Sequence, residues 1–169
     1  MDMKELVKPF VDVTINTFTT FVGCDLSPKQ PFFTDKEMDL NSDITGIIGI
    51  SGVVRGAVII SMKMELAKII TGILTGSPPS EVDVSTDMVD AIGEITNIIA
   101  GNVKQKIPNG DHMVISLPTV IRGLEHSIIW PSKERRILCI PFEVTEKGVF
   151  HILVAFGAED PDSASMAVP

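Results

Sequence analysis

The sequence predicts an α/β protein: an antiparallel sheet carrying long helices on one face, its two halves related by a pseudo-two-fold axis. Three observations predict it. Several segments repeat apolar residues at intervals of three and four, the pattern of helices buried along one side. Others are β-branched runs bounded by turn residues, the pattern of paired strands. The order helix, hairpin, helix is then followed by helix, strands, hairpin, which is what an internal duplication would leave.

In chain order, residues 3–22 space Leu6, Phe10, Val13, Thr17 and Phe21 as a helix, stopped by Gly23, with Pro9 marking its start or a kink. Residues 24–42 contain Pro28 and Pro31 and read as an irregular connection with room for a short strand. Residues 44–51 and 55–62 form a hairpin around Ser51-Gly52. A helix over 64–74 is closed by Gly76 and Pro78-Pro79, and a longer one begins after Ser85 or Thr86 and ends before Pro108. Strands follow at 112–117, 120–126, 136–144 and 149–156, the last two joined by a tight turn at Glu146-Lys147-Gly148. A single domain over 1–158 and a disordered acidic tail over 159–169 account for the chain.

The totals exclude several classes. With 44% hydrophobic residues in 169, the chain can bury a substantial core, yet its apolar runs are too short to cross a bilayer. A net charge of −8 argues against nucleic acid, whose phosphates are held by Lys and Arg. The one dense basic cluster, Lys133, Arg135 and Arg136, reads as the solvated end of a hairpin. The first residues lack the basic and apolar segments of a secretion signal, which predicts a cytoplasmic protein with Cys24 and Cys139 as reduced, partly buried thiols. His112, His126 and His151 are scattered over strands, so no zinc site is expected. Gly46, Gly49, Gly52 and Gly56 lack the Gly-Lys-Ser/Thr of a phosphate loop and read as turn or close-packing glycines.

Asp90, Glu94, Asn97 and Gly101 are separated by four, three and four residues, so on a helix they form one stripe. Met88, Ile92, Ile95, Ile99 and Val103 take the opposite, buried side. Asn is a poor helix former because its amide competes for backbone hydrogen bonds, so something other than helix stability selects Asn97. Asp90 has two readings: support for Glu94, or an acid favoured by the positive end of the helix dipole. Asn102 lies one residue off the stripe. A shift of 81 residues sets Val13-Thr14-Ile15-Asn16 against Glu94-Ile95-Thr96-Asn97, which keeps Asn16 but replaces the acid by Val13.

Asp-x3-Glu-x2-Asn followed by Ala100-Gly101-Asn102, with the later run from Ile115 to Gly123 containing Ser116-Leu117-Pro118, resembles the CheC/CheX/FliY family of chemotaxis phosphatases. The length and the single intact motif resemble its CheX branch. The resemblance implies a CheC-like pseudo-two-fold fold, a homodimer joined partly through sheet edges, and a CheY-type phosphorylated receiver domain as partner. It implies removal of phosphate from an aspartyl phosphate, with Asn97 orienting the attacking water and Glu94 pairing with a lysine of the regulator. Asp90, Gly101 and Asn102 are supporting candidates, and Gly101 and Ala100 would let the partner come close. No cofactor or metal of the protein's own is implied; Mg²⁺ would belong to the partner. An acyl phosphate is already reactive, so a carboxamide that places water suffices: a hundredfold acceleration requires about 2.7 kcal/mol, and positioning can supply roughly 7–11 kcal/mol. The alternatives are a non-catalytic module of the same fold binding a signalling or flagellar-switch protein, and a structural subunit of such an assembly.

Overall fold

The computed structural model describes residues 3–34, 38–52, 54–129 and 137–158. The expected acidic tail and the Lys133–Arg135–Arg136 cluster lie outside these residues. Helix α1 (Met3–Thr17) runs through Pro9 without ending there and widens into one π-turn, Phe18–Val22. Gly23, at φ 79°, then turns the chain with its N–H on the Phe18 carbonyl. Strands β1 (Leu26–Pro28) and β2 (Phe32–Thr34) follow, then β3 (Met38–Gly52), β4 (Val54–Met62), α2 (Met64–Thr75) and α3 (Asp87–Lys104). The second half ends with β5 (Met113–Ile115), β6 (Thr119–Ile128), β7 (Ile137–Val144) and β8 (Gly148–Ala158). The connection over 24–42 is therefore more ordered than its prolines imply: it holds two short strands and the start of a third.

All strand pairs are antiparallel, and the strand order reads the same from both ends: β1 and β2 on β7, then β8, β4, β3, and β5 and β6 on β3. Each edge is one strand broken in the middle. At one break the Lys29 N–H donates to Pro141 O at 2.8 Å; at the other the Ser116 N–H donates to Gly49 O at 2.9 Å. Proline follows in both, at Pro31 and Pro118. The duplication expected from element order is thus a two-fold relating β4 to β8, β3 to β7 and α3 to α1.

The helices cover one face. Ile44, Ile48, Val58, Ile60, Leu138, Ile140, Phe150 and Ile152 point into them and make one core with Leu6, Phe10, Ile92, Ile95 and Ile99. The other face holds a smaller apolar cluster around Ile59, Cys139 and Leu153. Both cysteines are free and buried, and burial pushes the Cys139 thiol up to about 12, which leaves it unreactive near neutrality. Met62 and Met88 are core, while Met64 is half-buried.

One buried carboxylate ties three elements together. Asp43 of β3 accepts from the backbone N–H of Glu125 and of Met64, each at 3.0 Å, and lies 3.7 Å from Lys63 Nζ. It thereby caps α2 and holds a bulge in β6, where three residues, 123–125, face only Asp43. Glu125 takes a positive φ of 51° there. His126 secures the far side, with Nδ1 2.8 Å from Gly123 O and Nε2 2.7 Å from the Thr45 hydroxyl. The two backbone N–H groups, ahead of the nearby Lys63 and His126, hold the Asp43 carboxyl below its ordinary value. A carboxylate with a depressed native pKa stabilises fully above the unfolded value of about 4 and loses that contribution as pH falls through the lower native value. Asp43→Ala is expected to lower unfolding free energy by about 1–3 kcal/mol at pH 7, measured by urea denaturation. The gap from wild type should close on acidification below about pH 4; a gap independent of pH would refute the ionised role.

Candidate functional site

Helix α3 starts from a cap that does not use Ser85 or Thr86. Asp83 accepts from the N–H of Ser85 at 2.7 Å and of Thr86 at 3.1 Å, while Asp87 Oδ2 accepts from the Asp83 N–H at 3.4 Å. These bonds hold the Asp83 carboxyl below its usual range. The signal was an Asp two and three residues ahead of a Ser-Thr pair, a reciprocal cap in which acids do the work of both partners. Arg122 of β6 donates to Ser85 Oγ at 3.3 Å and ties this start to the sheet edge.

The buried side is as the spacing predicts: Met88, Ile92, Ile95, Ile99 and Val103 are all in the core. The stripe faces outward, with Asp90 and Glu94 exposed and Asn97 and Gly101 half-buried; Asn102 is also exposed. Ala100 departs from expectation. It is buried and faces Phe10 and Ile50, so no partner can reach it. Gly101 has only Ile115 Cδ1, at 3.9 Å, near the position of a missing Cβ, so internal packing does not demand glycine there.

Beside the stripe runs an open groove lined by Val89, Asp90, Gly93, Glu94, Pro118 and Val120. Its floor is Gly93, whose absent side chain leaves room above Val120 and Pro118. A mid-helix glycine costs about 1 kcal/mol against alanine, so Gly93 was a signal that the sequence reading did not use. The far wall is rigid. Ser116 Oγ accepts from the Gly49 N–H at 2.9 Å and donates to Leu117 O at 2.8 Å, fixing the corner from which Leu117 projects, 87% exposed.

The pseudo-symmetric helix shows what sets this face apart. Burial matches α1 to α3 at a shift of 82, not 81: Leu6, Phe10, Val13 and Thr14 take the buried places of Met88, Ile92, Ile95 and Thr96. Val13 therefore lies in the core. Asp12 stands where Glu94 does, Ile15 replaces Asn97, and Asn16 falls off the stripe. Lys8 occupies the place of Asp90 and forms an ion pair with Asp12. So α1 neutralises its own acid, whereas α3 sets two acids four residues apart with no ion pair to either among the described residues. Like charges at that spacing destabilise a helix. A cation brought in from outside would relieve that repulsion. Among the described residues no three His, Cys, Asp or Glu side chains converge to hold a metal.

A duplicated, curled sheet with one face of helices, and an exposed acid–amide pair on only one of the two related helices, defines a protein of the CheC-like class. The chain belongs to the CheX family: the model described as chemotaxis phosphatase CheX matches residues 44–143. A Thermotoga maritima protein named CheY-P phosphatase CheX is 27% identical over 130 residues, 76% of this chain and 81% of that one. The crystal structure of chemotaxis protein CheX from Desulfovibrio desulfuricans matches with TM-score 0.78 and 27% identity, over 92% of this chain and 99% of that one. A CheX–CheY–BeF3–Mg²⁺ complex from Borrelia burgdorferi shares the fold, with TM-score 0.74 and 21% identity over 89% and 97% of the two chains.

The Asn97 side chain has no hydrogen-bond partner among the described residues, so replacing it by Ala should raise stability by about 0.3–0.7 kcal/mol through helix propensity alone. Urea denaturation measures this; a loss of stability would mean that the amide is held for structural reasons.

Proposed function

We infer that this protein is a CheX phosphatase that removes phosphate from the aspartyl phosphate of a CheY-type response regulator. The observation that carries the site assignment is the outward-facing pair Glu94 and Asn97, one turn apart on a helix whose other side is locked in the core. The Asn97 carboxamide, without a partner among the described residues, accepts from the attacking water and donates toward the phosphoryl oxygens, which aligns the water with the breaking bond at any neutral pH. Glu94 pairs with a lysine beside the phosphorylated aspartate and fixes the register of the two proteins. Asp90, four residues earlier, adds a second negative charge to the same rim, and the apolar floor of the groove receives the aliphatic part of that side chain. Gly101 and Asn102 border the contact without taking part in the chemistry. The protein supplies no metal; Mg²⁺ stays on the regulator's acidic site. No helix of the described residues is long and apolar enough to cross a membrane, and a receiver-domain substrate supports a cytoplasmic site of action.

The protein acts as a homodimer through the β6 edge, where Ile121 and Leu124 of the strand and Ile129 just after it are exposed. Sedimentation should give twice the chain mass; a monomer at tens of micromolar would discard the dimer and leave the site untouched.

The deciding experiment follows loss of phosphate from a regulator phosphorylated with a small acyl phosphate donor. Asn97→Ala should lower kcat about 100-fold or more with KM nearly unchanged, and Glu94→Ala should act mainly on KM. Wild-type turnover in both variants would remove the site. Binding without hydrolysis by the wild-type protein would instead establish the non-catalytic module.

A further inference from the structure

Gly46 lies in β3 on the face that carries the helices, directly beneath Thr96, the residue before Asn97. A Cβ at position 46 would stand 2.1 Å from Thr96 Oγ1, closer than real atoms come, and 3.1 Å from its Cβ, a tight contact. Thr96 is fully buried, and its hydroxyl donates to Ile92 O at 2.6 Å, so swinging it away would break that bond inside the core. Without a side chain at 46, α3 settles onto the sheet; with one, the helix must lift or tilt, because packed interiors have no spare volume.

The molecule contains its own control. The two-fold that matches Ile50, paired with Ile115, to Phe142, paired with Pro28, matches Gly46 to Leu138 four residues earlier on β7. Thr14 of α1 is the counterpart of Thr96. Leu138 is fully buried, and α1 lies against β7 over less of its length than α3 against β3. So the strand position beneath the helix that bears Glu94 and Asn97 is bare backbone, and its counterpart in the other half is a buried leucine.

We propose that Gly46 is a positioning residue for the phosphatase reaction: by seating α3 low on β3 through Thr96, it sets the height at which Asn97 and Glu94 meet the regulator. This rests on the phosphatase reading above. A helix displaced by about 1 Å would still dock, yet would hold the water wrongly, an error that can cost about 100-fold.

The test compares Gly46→Ala, Thr96→Ala and the double variant in hydrolysis of the phosphorylated regulator, with near-UV circular dichroism reporting the folded fraction. In folded Gly46→Ala, kcat should fall at least about tenfold while KM moves by less than about threefold, and the double variant should return to within about threefold of Thr96→Ala alone. A merely structural role would scale activity with the folded fraction and leave kcat per folded molecule unchanged. Folded Gly46→Ala with wild-type kcat, or a double variant no better than Gly46→Ala, overturns the proposal. If Gly46→Ala does not fold, the double variant decides by the same comparison with Thr96→Ala. A wild-type protein inactive in this assay would count against the phosphatase reading instead. Crystal structures of the variants then decide the positioning role: α3 raised from β3 by an alanine at 46 supports it, and an unmoved helix overturns it.

Discussion

The packing of Met88, Ile92, Ile95, Ile99 and Val103 into the sheet is the constraint on which the functional face depends. On an 18-residue helix, a buried side made of five large apolar residues leaves no freedom in what the opposite side presents. Fully burying one such side chain contributes about 1.5–3 kcal/mol, far more than an exposed acid or amide can add or remove. Glu94 and Asn97 are therefore free to be chosen for chemistry. Their orientation is guaranteed by residues that never touch a substrate.

The same architecture shows how the two halves of a duplicated fold come to present different faces. Both halves keep the scaffold: a helix on a long strand, an edge strand interrupted before a proline, and a neighbouring strand at the centre. They differ at a few positions with direct physical consequences. Lys8 opposite Asp12 closes an internal ion pair, whereas Asp90 and Glu94 leave charge unbalanced; Ile15 removes the amide; Leu138 takes the place of Gly46. Symmetry supplied two equivalent positions, and local side-chain chemistry separated their roles.

Much of this was legible in the chain because it depends on near neighbours. The helices α2 and α3 begin and end within a residue or two of where spacing and stop signals put them, and the acid–amide stripe needed only the helical period to be recognised. The connection before β3 was harder: strands of three residues bounded by prolines carry no periodic signal, and they form only because β7 offers an edge. The start of β3 was missed for a related reason, since residues up to 42 read as irregular connection until the bulge of β6 provides partners for Asp43. The internal repeat was visible in element order, but its register was not. A short identity around Asn16 favoured a shift of 81, and only burial shows the shift of 82 that puts Val13 in the core. Gly46 looked like one glycine among four, because the threonine that makes it indispensable lies 50 residues away.

The notched borders of the sheet limit how the molecule can associate. Beyond the break at Ser116–Pro118, β6 offers a regular ladder for only a few residues before its bulge intervenes, and the opposite border is cut at Lys29–Pro31. A strand laid alongside either border would find too few consecutive donors and acceptors to template another copy after it. Repeated strand addition, copy after copy, is therefore disfavoured at both borders.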